Sequence, residues 1–468
     1  RGWAEAVGAV AVAAATPPAA DPAVPAGAVA TPLPAPAATG APGAPGAALI
    51  PAPAPAVPAI SEFEGVLLVR TLVKLNPKWM DKEQRPLFDL LVARWRSPER
   101  QARLQVQERL SLLQLKESKW LVKIFLNYIS NDRSEVEVLF DLLRVYASRS
   151  RVDFTFLKDF YQKEVAEGYT VEEKRAVLVH FMKLFKERAL PQEQLVTALQ
   201  MIILPLLQHA FDSSAEGARQ LVDADIVSSI VADLLDPPEE ESAGYEEPLR
   251  IELLQLATLL IKCMPGDLVT HRKELIKFGW NHLKREDSSS KQWAFVNVCH
   301  FLEAYAAPEK IILQVFVALL RTCQPESRVL VRQALDILTP ALPRRLPQGD
   351  HKYPIWIRYT KKVLVEEGHS LPHLIHIWQL LVRHSHLFYS SRAQFVPQMV
   401  NSLSRLGLPQ NSPPENRRLA IDLAGLIVYW EKSRIKNQKA EGEGGTAVAA
   451  AAAGAAPMDE GGADTPSR

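Results

Sequence analysis

From Ser61 onward, apolar residues recur at steps of three and four, the spacing of helices that turn one face inward. No alternating apolar run with an Asn-Gly or Asp-Gly turn interrupts this pattern, so strands are not expected. Three S/T-x-x-E sequences, Ser61–Glu64, Ser134–Glu137 and Thr170–Glu173, fit capping boxes at helix starts. Pro98, Pro191, Pro248, Pro308, Pro325 and Pro372 stand where a first turn begins and a missing N–H costs nothing. Gly168, Gly368 and Gly407 stand where helices should stop. These marks predict helices over approximately 62–75, 82–96, 99–129, 134–149, 152–167, 171–188, 191–211, 224–235, 248–264, 267–285, 289–306, 308–323, 325–341, 355–367, 371–388, 391–406 and 414–437. Their short connections favour antiparallel neighbours.

Two helices show how burial should differ. In 251–263, Glu252, Gln255 and Lys262 share one face, which is expected to be wet. In 311–323 only Gln314, Arg321 and Thr322 are polar, so that helix should be covered on nearly all sides. Layered helix pairs produce such covering, and successive pairs recur roughly every 40 residues, the period of HEAT-like arrays. The fold expected is therefore all-α, a HEAT-like helical-repeat solenoid over 61–438.

Composition sets the limits of that solenoid. Residues 1–60 hold thirteen of the 35 prolines and only three charged side chains, Arg1, Glu5 and Asp21. Residues 439–468 are mostly Ala, Gly and acids. Neither end can bury enough apolar surface to offset the entropy of ordering, so both are expected to be disordered. The Ala-rich start lacks the basic and Leu-rich regions of a signal peptide. A chain opening on Arg1 is expected to be a fragment or an incomplete gene product. The apolar run Ile311–Leu320 is too short for a membrane span of about 20 residues. Cys263, Cys299 and Cys323 form no CxxC pair or disulfide framework, as in a reducing compartment.

Candidate chemistry is sparse. His373, His376, Gln379, Arg383 and His386 form a stripe along one helix without an acid or an HExxH pattern, which favours a solvated or interface stripe over a metal site. Asp153-Phe154-Thr155 lacks the glycine and the partner motifs of a kinase and reads as a helix start. No phosphate-cradling Gly motif and no GxSxG is present, and Ser288–Ser290 read as a cap cluster. Trp280, Trp293, Trp356, Trp378 and Trp430 recur among aliphatics, as core residues do. No cofactor or metal is expected.

Charge is unevenly placed although the net value is +1, too small for a dedicated DNA-binding domain. Residues 220–249 hold nine acids and no Lys or Arg. Asp236-Pro237-Pro238-Glu239 cannot continue a helix, so this stretch is expected to be a solvent-facing connection whose partners would be basic. Residues 268–362 carry sixteen Lys/Arg against eight Asp/Glu. There the run Ile311–Leu320 lies among Arg272, Lys273, Lys277, Lys284, Arg285, Arg328, Arg332, Arg344 and Arg345. An apolar floor with a basic rim would dock a disordered segment that mixes acids with bulky apolar residues.

Several stretches carry a family resemblance: RVDFTFLKDFYQKEVAEGY at 151–169, EPLRIELLQLATLLIK at 247–262, and WAFVNVCHFLEAY and QALDILTPALPRRLPQ within 273–348. PIWIRYTKKVLVEEGHS within 354–407 and ENRRLAIDLAGLIVYW at 415–430 extend it. Over about 62–435 the chain resembles the transformation/transcription domain-associated protein family, pseudokinase scaffolds related to the phosphatidylinositol 3-kinase-related kinases. The resemblance implies a HEAT-type solenoid in the nucleus. It implies a scaffold that binds acidic transcription activators and subunits of histone acetyltransferase coactivator complexes. The family's kinase-like domain lies far downstream, so no catalytic residue carries over and no enzyme is expected. Two competing readings remain, a fragment of a phosphatidylinositol 3-kinase-related protein kinase and a nucleic-acid-binding helical repeat. Neither a membrane nor direct sequence-specific nucleic-acid binding is expected.

Overall fold

The computed structural model describes residues 62–105, 112–147 and 152–453. The segment expected to be disordered at 1–60 lies outside them, as do 454–468. All regular elements among the described residues are helical. They fall into two compact units divided after Leu221.

The first unit contains α1 Glu62–Leu75, α2 Arg85–Arg96, α3 Pro98–Gln105, α4 Leu112–Asn131, α5 Val136–Asp141 and α6 Arg144–Ala147. It continues with α7 Thr155–Phe160, α8 Val171–Lys186, α9 Gln192–Ala198, α10 Leu204–Ser213 and α11 Ala215–Leu221. The helix expected over 99–129 is two helices, α3 and α4. Its aromatic core is built from α2 and α4. Phe88 stacks on Tyr128 with centroids 3.8 Å apart, and Phe125 meets both Phe88 and Trp95 edge-on at 5.8 Å. Such pairs add about 0.5–1.5 kcal/mol beyond the area they bury. Polar bridges close the edges: Arg94 Nη2 pairs with Glu117 at 2.6 Å, and Arg96 Nε donates to Asp141 at 2.6 Å.

The capping signals fare unequally. Thr170 and Glu173 form the full box, with the Glu173 N–H on Thr170 Oγ1 at 3.3 Å and the Thr170 N–H on Glu173 Oε2 at 2.8 Å. Ser134 instead turns its hydroxyl to Asp132, and α5 starts at Val136 without a side-chain cap. Asp153 accepts from the Thr155 N–H at 2.9 Å, a helix start as its sequence suggested. Two π-helical stretches, Tyr161–Glu167 and Leu199–Ile203, pack together and extend α7 and α9. Nothing in the apolar period announced them.

The helix from Gln192 to Ser213 corrects the membrane estimate, since it is longer than Ile311–Leu320 and its mean hydropathy is 1.4. Leu195, Ala198, Leu199, Ile202, Leu206 and Leu207 are buried against neighbouring helices, as in the core helix of a stack.

The second unit shows the repeat most clearly. Its elements are α12 Ala224–Ser229, α13 Glu239–Ala243, α14 Glu247–Cys263, α15 Arg272–Leu283, α16 Ser288–Ala304, α17 Glu309–Arg321 and α18 Arg328–Arg345. Then come α19 Ile355–Glu367, α20 Leu371–Arg383, α21 Ser385–Phe388, α22 Val396–Gly407 and α23 Pro414–Ala453. The boundary expected at 438 falls inside α23. Helices α14, α16, α18, α20 and α23 pack in sequence as one layer, and α17 and α19 pack in a second layer. Members of the first layer start at 247, 288, 328, 371 and 414, a period of about 40 residues. This is the all-α HEAT-like helical repeat that the periodicity implied.

The acidic stretch is only partly a connection. A π-helical stretch, Ile230–Leu235, continues α12, and Ile226, Val227, Ile230, Val231, Leu234 and Leu235 are buried. The expectation of a solvent-facing segment over all of 220–249 is therefore wrong for its first half. The acids there point out between buried positions, and the chain emerges at Asp236 and the two prolines. The wet face expected on 251–263 holds at exposed Lys262 and is revised at Glu252. Glu252 is 5% exposed and accepts from Gln255 Nε2 at 3.0 Å, because the neighbouring α16 covers this side. Helix α18 runs past its expected end through Pro340 and Pro343. Both prolines face solvent while Ala341 and Leu342 face the core, so packing outweighs two missing donors.

Gly279 lets α15 lie close on α16. A Cβ there would stand 2.7 Å from Asn297 Oδ1 and 2.8 Å from Val298 Cγ2. Asn297 is held in turn by donating to Thr258 Oγ1 of α14 at 3.1 Å. Gly279→Leu should overpack this contact and lower stability by about 1–3 kcal/mol in a urea titration. An unchanged midpoint would mean that α15 can move away freely.

Candidate partner-binding groove

The nine basic residues singled out in sequence do not form one surface. Arg272 donates to Val269 O at 2.9 Å and, with Lys273 and Lys277, lies on exposed α15. Lys277 is paired with Asp236 at 2.8 Å. Lys284 and Arg285 follow the end of α15. Arg344 and Arg345, at the end of α18, donate to Glu303 O at 2.8 and 2.6 Å and so cap the carboxyl end of α16. Arg328 and Arg332 are at the other end of α18, roughly 20 Å away at 1.5 Å per residue. The intended floor is unavailable as well. Ile312, Val315, Phe316, Leu319 and Leu320 of α17 are buried between layers, so they cannot receive a partner.

The structure builds a different site around Arg328 and Arg332. A groove of about 1130 Å³ runs over the first layer of the second unit. Its cations are Lys262 of α14, Arg328 and Arg332 of α18, Arg383 of α20 and Arg418 of α23. Val329, Ile337, Val382 and Leu419 supply apolar surface, and Val329 is 74% exposed. Asp336, Glu415 and Asp422 are its acids. These cations come from different positions of their helices, Lys262 and Arg383 near carboxyl ends and Arg328, Arg332 and Arg418 near amino ends, and the packing of the layer brings them to one groove.

Asp336 ties the floor together. It accepts from Arg383 Nε at 2.7 Å and from His384 Nε2 at 2.9 Å, with Arg332 Nε 3.7 Å away. Burial disfavours its ionisation, but the hydrogen bonds from Arg383 and His384 outweigh that and hold the carboxyl below its usual range. Burial pushes His384 down despite the carboxylate, so its contact is a hydrogen bond from a neutral ring more than an ion pair. Glu415 is 3.9 Å from Arg328, a loose and exposed contact. Lys262 and Arg418 have no ion pair among the described residues.

The histidine stripe is an interface between repeats. His373 Nε2 reaches Arg321 O at 3.2 Å and His376 Nε2 reaches Leu319 O at 3.0 Å, joining α20 to the last turn of α17. Among the described residues, no three His, Cys, Asp or Glu side chains gather as metal ligands would. Trp356, Trp378 and Trp430 are core residues, each at most 2% exposed. Lys262, His300, Val329, Arg383, Arg418 and Leu419 were missed as site residues. They lie too far apart in sequence for any local motif, and only the three-dimensional packing of the layer brings them together.

Burial lowers His282, His300, His376 and His384, and also His180 of the first unit. Each folded value thus lies below the unfolded 6.5, and the unfolded chain binds the extra protons. The stability these rings contribute is complete above about pH 6.5 and is lost as pH falls through their folded values. Melting temperature should be level from about pH 8 to about pH 7 and then decline toward about pH 5.5. A level profile down to about pH 5.5 would show that the rings are hydrated.

The comparisons with known proteins agree with this architecture. The sequence profile of the Tra1 HEAT repeat ring region matches residues 45–465. "Probable transcription-associated protein 1" of Dictyostelium discoideum is 41% identical over 379 residues, covering 80% of this chain and 8% of that protein. "Transformation/transcription domain-associated protein" of Homo sapiens is 33% identical over 400 residues, covering 82% of this chain and 10% of that protein. The Saccharomyces cerevisiae "SAGA complex/NuA4 acetyltransferase complex subunit TRA1" is 37% identical over 205 residues, covering 43% of this chain and 5% of that protein. The chain thus spans a tenth or less of the length of these relatives. With a profile match along most of its length, the chain belongs to the Tra1, or transformation/transcription domain-associated protein, family.

Proposed function

We propose that this chain is a non-catalytic scaffold segment of a nuclear transcription coactivator and that its groove docks an acidic, partly apolar segment of a partner. Membership in a family of transcription-associated proteins supports the general role. The name of the yeast relative, a subunit of SAGA and NuA4 acetyltransferase complexes, supports the setting. The partners proposed are acidic transcription activators and acetyltransferase-complex subunits.

The observation that carries the docking site is the pairing of a 74%-exposed Val329 with Arg328, Arg332, Arg418 and Lys262 around it. A large apolar side chain left in water beside several long cations suits a bulky apolar residue flanked by carboxylates. Apolar contact would supply most of the affinity, at about 25 cal/mol per Å² buried. The cations would raise the association rate and reject basic competitors. Arg272, Lys273, Lys277, Lys284, Arg285, Arg344 and Arg345 would steer such a segment from a distance.

The test uses a synthetic peptide alternating Asp or Glu with Leu and Phe. Reversing Arg328, Arg332 and Arg418 to Glu should weaken binding by about tenfold or more and flatten its salt dependence. Val329→Asp should weaken it comparably. Reversing Lys284, Arg285, Arg344 and Arg345 should slow association by a few-fold and leave the dissociation rate almost unchanged. Equal binding by the parent and the first variant would move the docking site elsewhere.

A further inference from the structure

The first unit holds a second charged surface whose charges are not balanced. Arg70 and Lys74 lie one turn apart on α1, and Lys119 and Lys123 lie one turn apart on α4, which packs against it. The Phe156 ring of α7 stands between the two lysines, with its centroid 5.5 Å from Lys119 Nζ and 5.1 Å from Lys123 Nζ. Burial, and then repulsion from Arg70, Lys119 and Lys74, push the Lys123 ammonium down. None of the four cations has an ion pair or hydrogen bond among the described residues. The carboxylate that Lys119 acts on, Asp153, is already bonded to the Thr155 N–H and hydroxyl. Glu117, also on α4, is taken by Arg94.

Some other surface cations of the chain, by contrast, are paired. Arg85 is matched by Asp89 and Glu135, and Arg434 by Glu431. Arg70, Lys119, Lys123 and Phe156 are moreover half-buried, so water screens them less than it would on an open helix face. Four gathered cations within one helical turn on two helices call for a compact anion. A phosphate monoester supplies close to two negative charges and three acceptor oxygens on one side chain. Arg70 can meet it with two parallel N–H groups and the lysines with point charges. The exposed edge of Phe156 then accepts an apolar neighbour.

We propose that Arg70, Lys74, Lys119 and Lys123, with the Phe156 ring between the lysines, form a binding site for a phosphorylated peptide segment. The phosphate lies among the four cations, and an apolar residue next to the phosphorylated serine or threonine packs on Phe156. The site is independent of the groove in the second unit and does not rest on it.

The experiment measures binding of the full chain to a fluorescent peptide with one phosphoserine followed by Leu, in phosphorylated and unphosphorylated forms. The phosphorylated form should bind at least about tenfold more tightly, and the difference should shrink with salt. Lys119→Glu combined with Lys123→Glu should abolish the preference. Lys74→Glu, at an exposed position that cannot unfold α1, should reduce it several-fold with unchanged circular dichroism. Phe156→Ala should weaken binding while retaining the preference for phosphate. Equal binding of the two peptide forms would overturn the proposal. So would competition by inorganic phosphate at the peptide's own concentration, which would mark a simple anion site. Tighter binding of single-stranded DNA than of the phosphopeptide would also overturn it, in favour of a nucleic-acid surface.

Discussion

Each helix pair in the second unit can bury its apolar faces only against the pair before and the pair after it. The other features follow from this dependence. A pair of amphipathic helices alone leaves two apolar faces in water, and stacking covers both. Val331, Leu335, Leu338 and Leu342 of α18 are at most a few percent exposed because α16 and α20 lie on either side. Each such side chain contributes about 1.5–3 kcal/mol by leaving water. Polar side chains then fasten neighbours at recurring positions. Tyr305 reaches Pro265 O at 2.7 Å, Arg321 reaches Glu366 at 3.0 Å, and Arg405 reaches Gly368 O at 2.9 Å. These bonds span roughly one repeat, and those of Tyr305 and Arg405 satisfy carbonyls just past helix ends.

The groove is a consequence of the same stacking. Packing the helices side by side brings cations from α14, α18, α20 and α23 to one groove although more than 150 residues separate the first from the last. Asp336 prevents that edge from being purely repulsive by binding Arg383 and His384. What remains is a net basic rim around exposed Val329.

How much of this was legible depends on whether the signal was local. Helix α19 is found at 355–367, as its sequence suggested, because Pro354 and Gly368 bracket it. The period of about 40 residues was visible in the apolar pattern. The short helices α11 and α13 were missed, since one or two turns carry too little periodicity to separate from a loop. The π-helical stretches were missed because one extra residue per turn hardly disturbs an apolar pattern. Apolar character alone could not say whether a run is a floor or a core. Ile311–Leu320 looked available for docking, and the partner layer had already covered it. The site was thus the least legible part, since charge counts along the chain do not report which residues meet across four helices.

The most direct measurement of the stacking dependence is native-state hydrogen exchange of the Phe316→Ala variant. Phe316 of α17 is fully buried, and α17 packs on α16, α18, α19 and α20. Removing the ring costs about 3–5 kcal/mol at the site. If neighbouring pairs depend on each other, amide protection should fall together across α16 to α20. A loss of protection confined to α17, with α18 and α20 as slow as in the parent, would contradict the account.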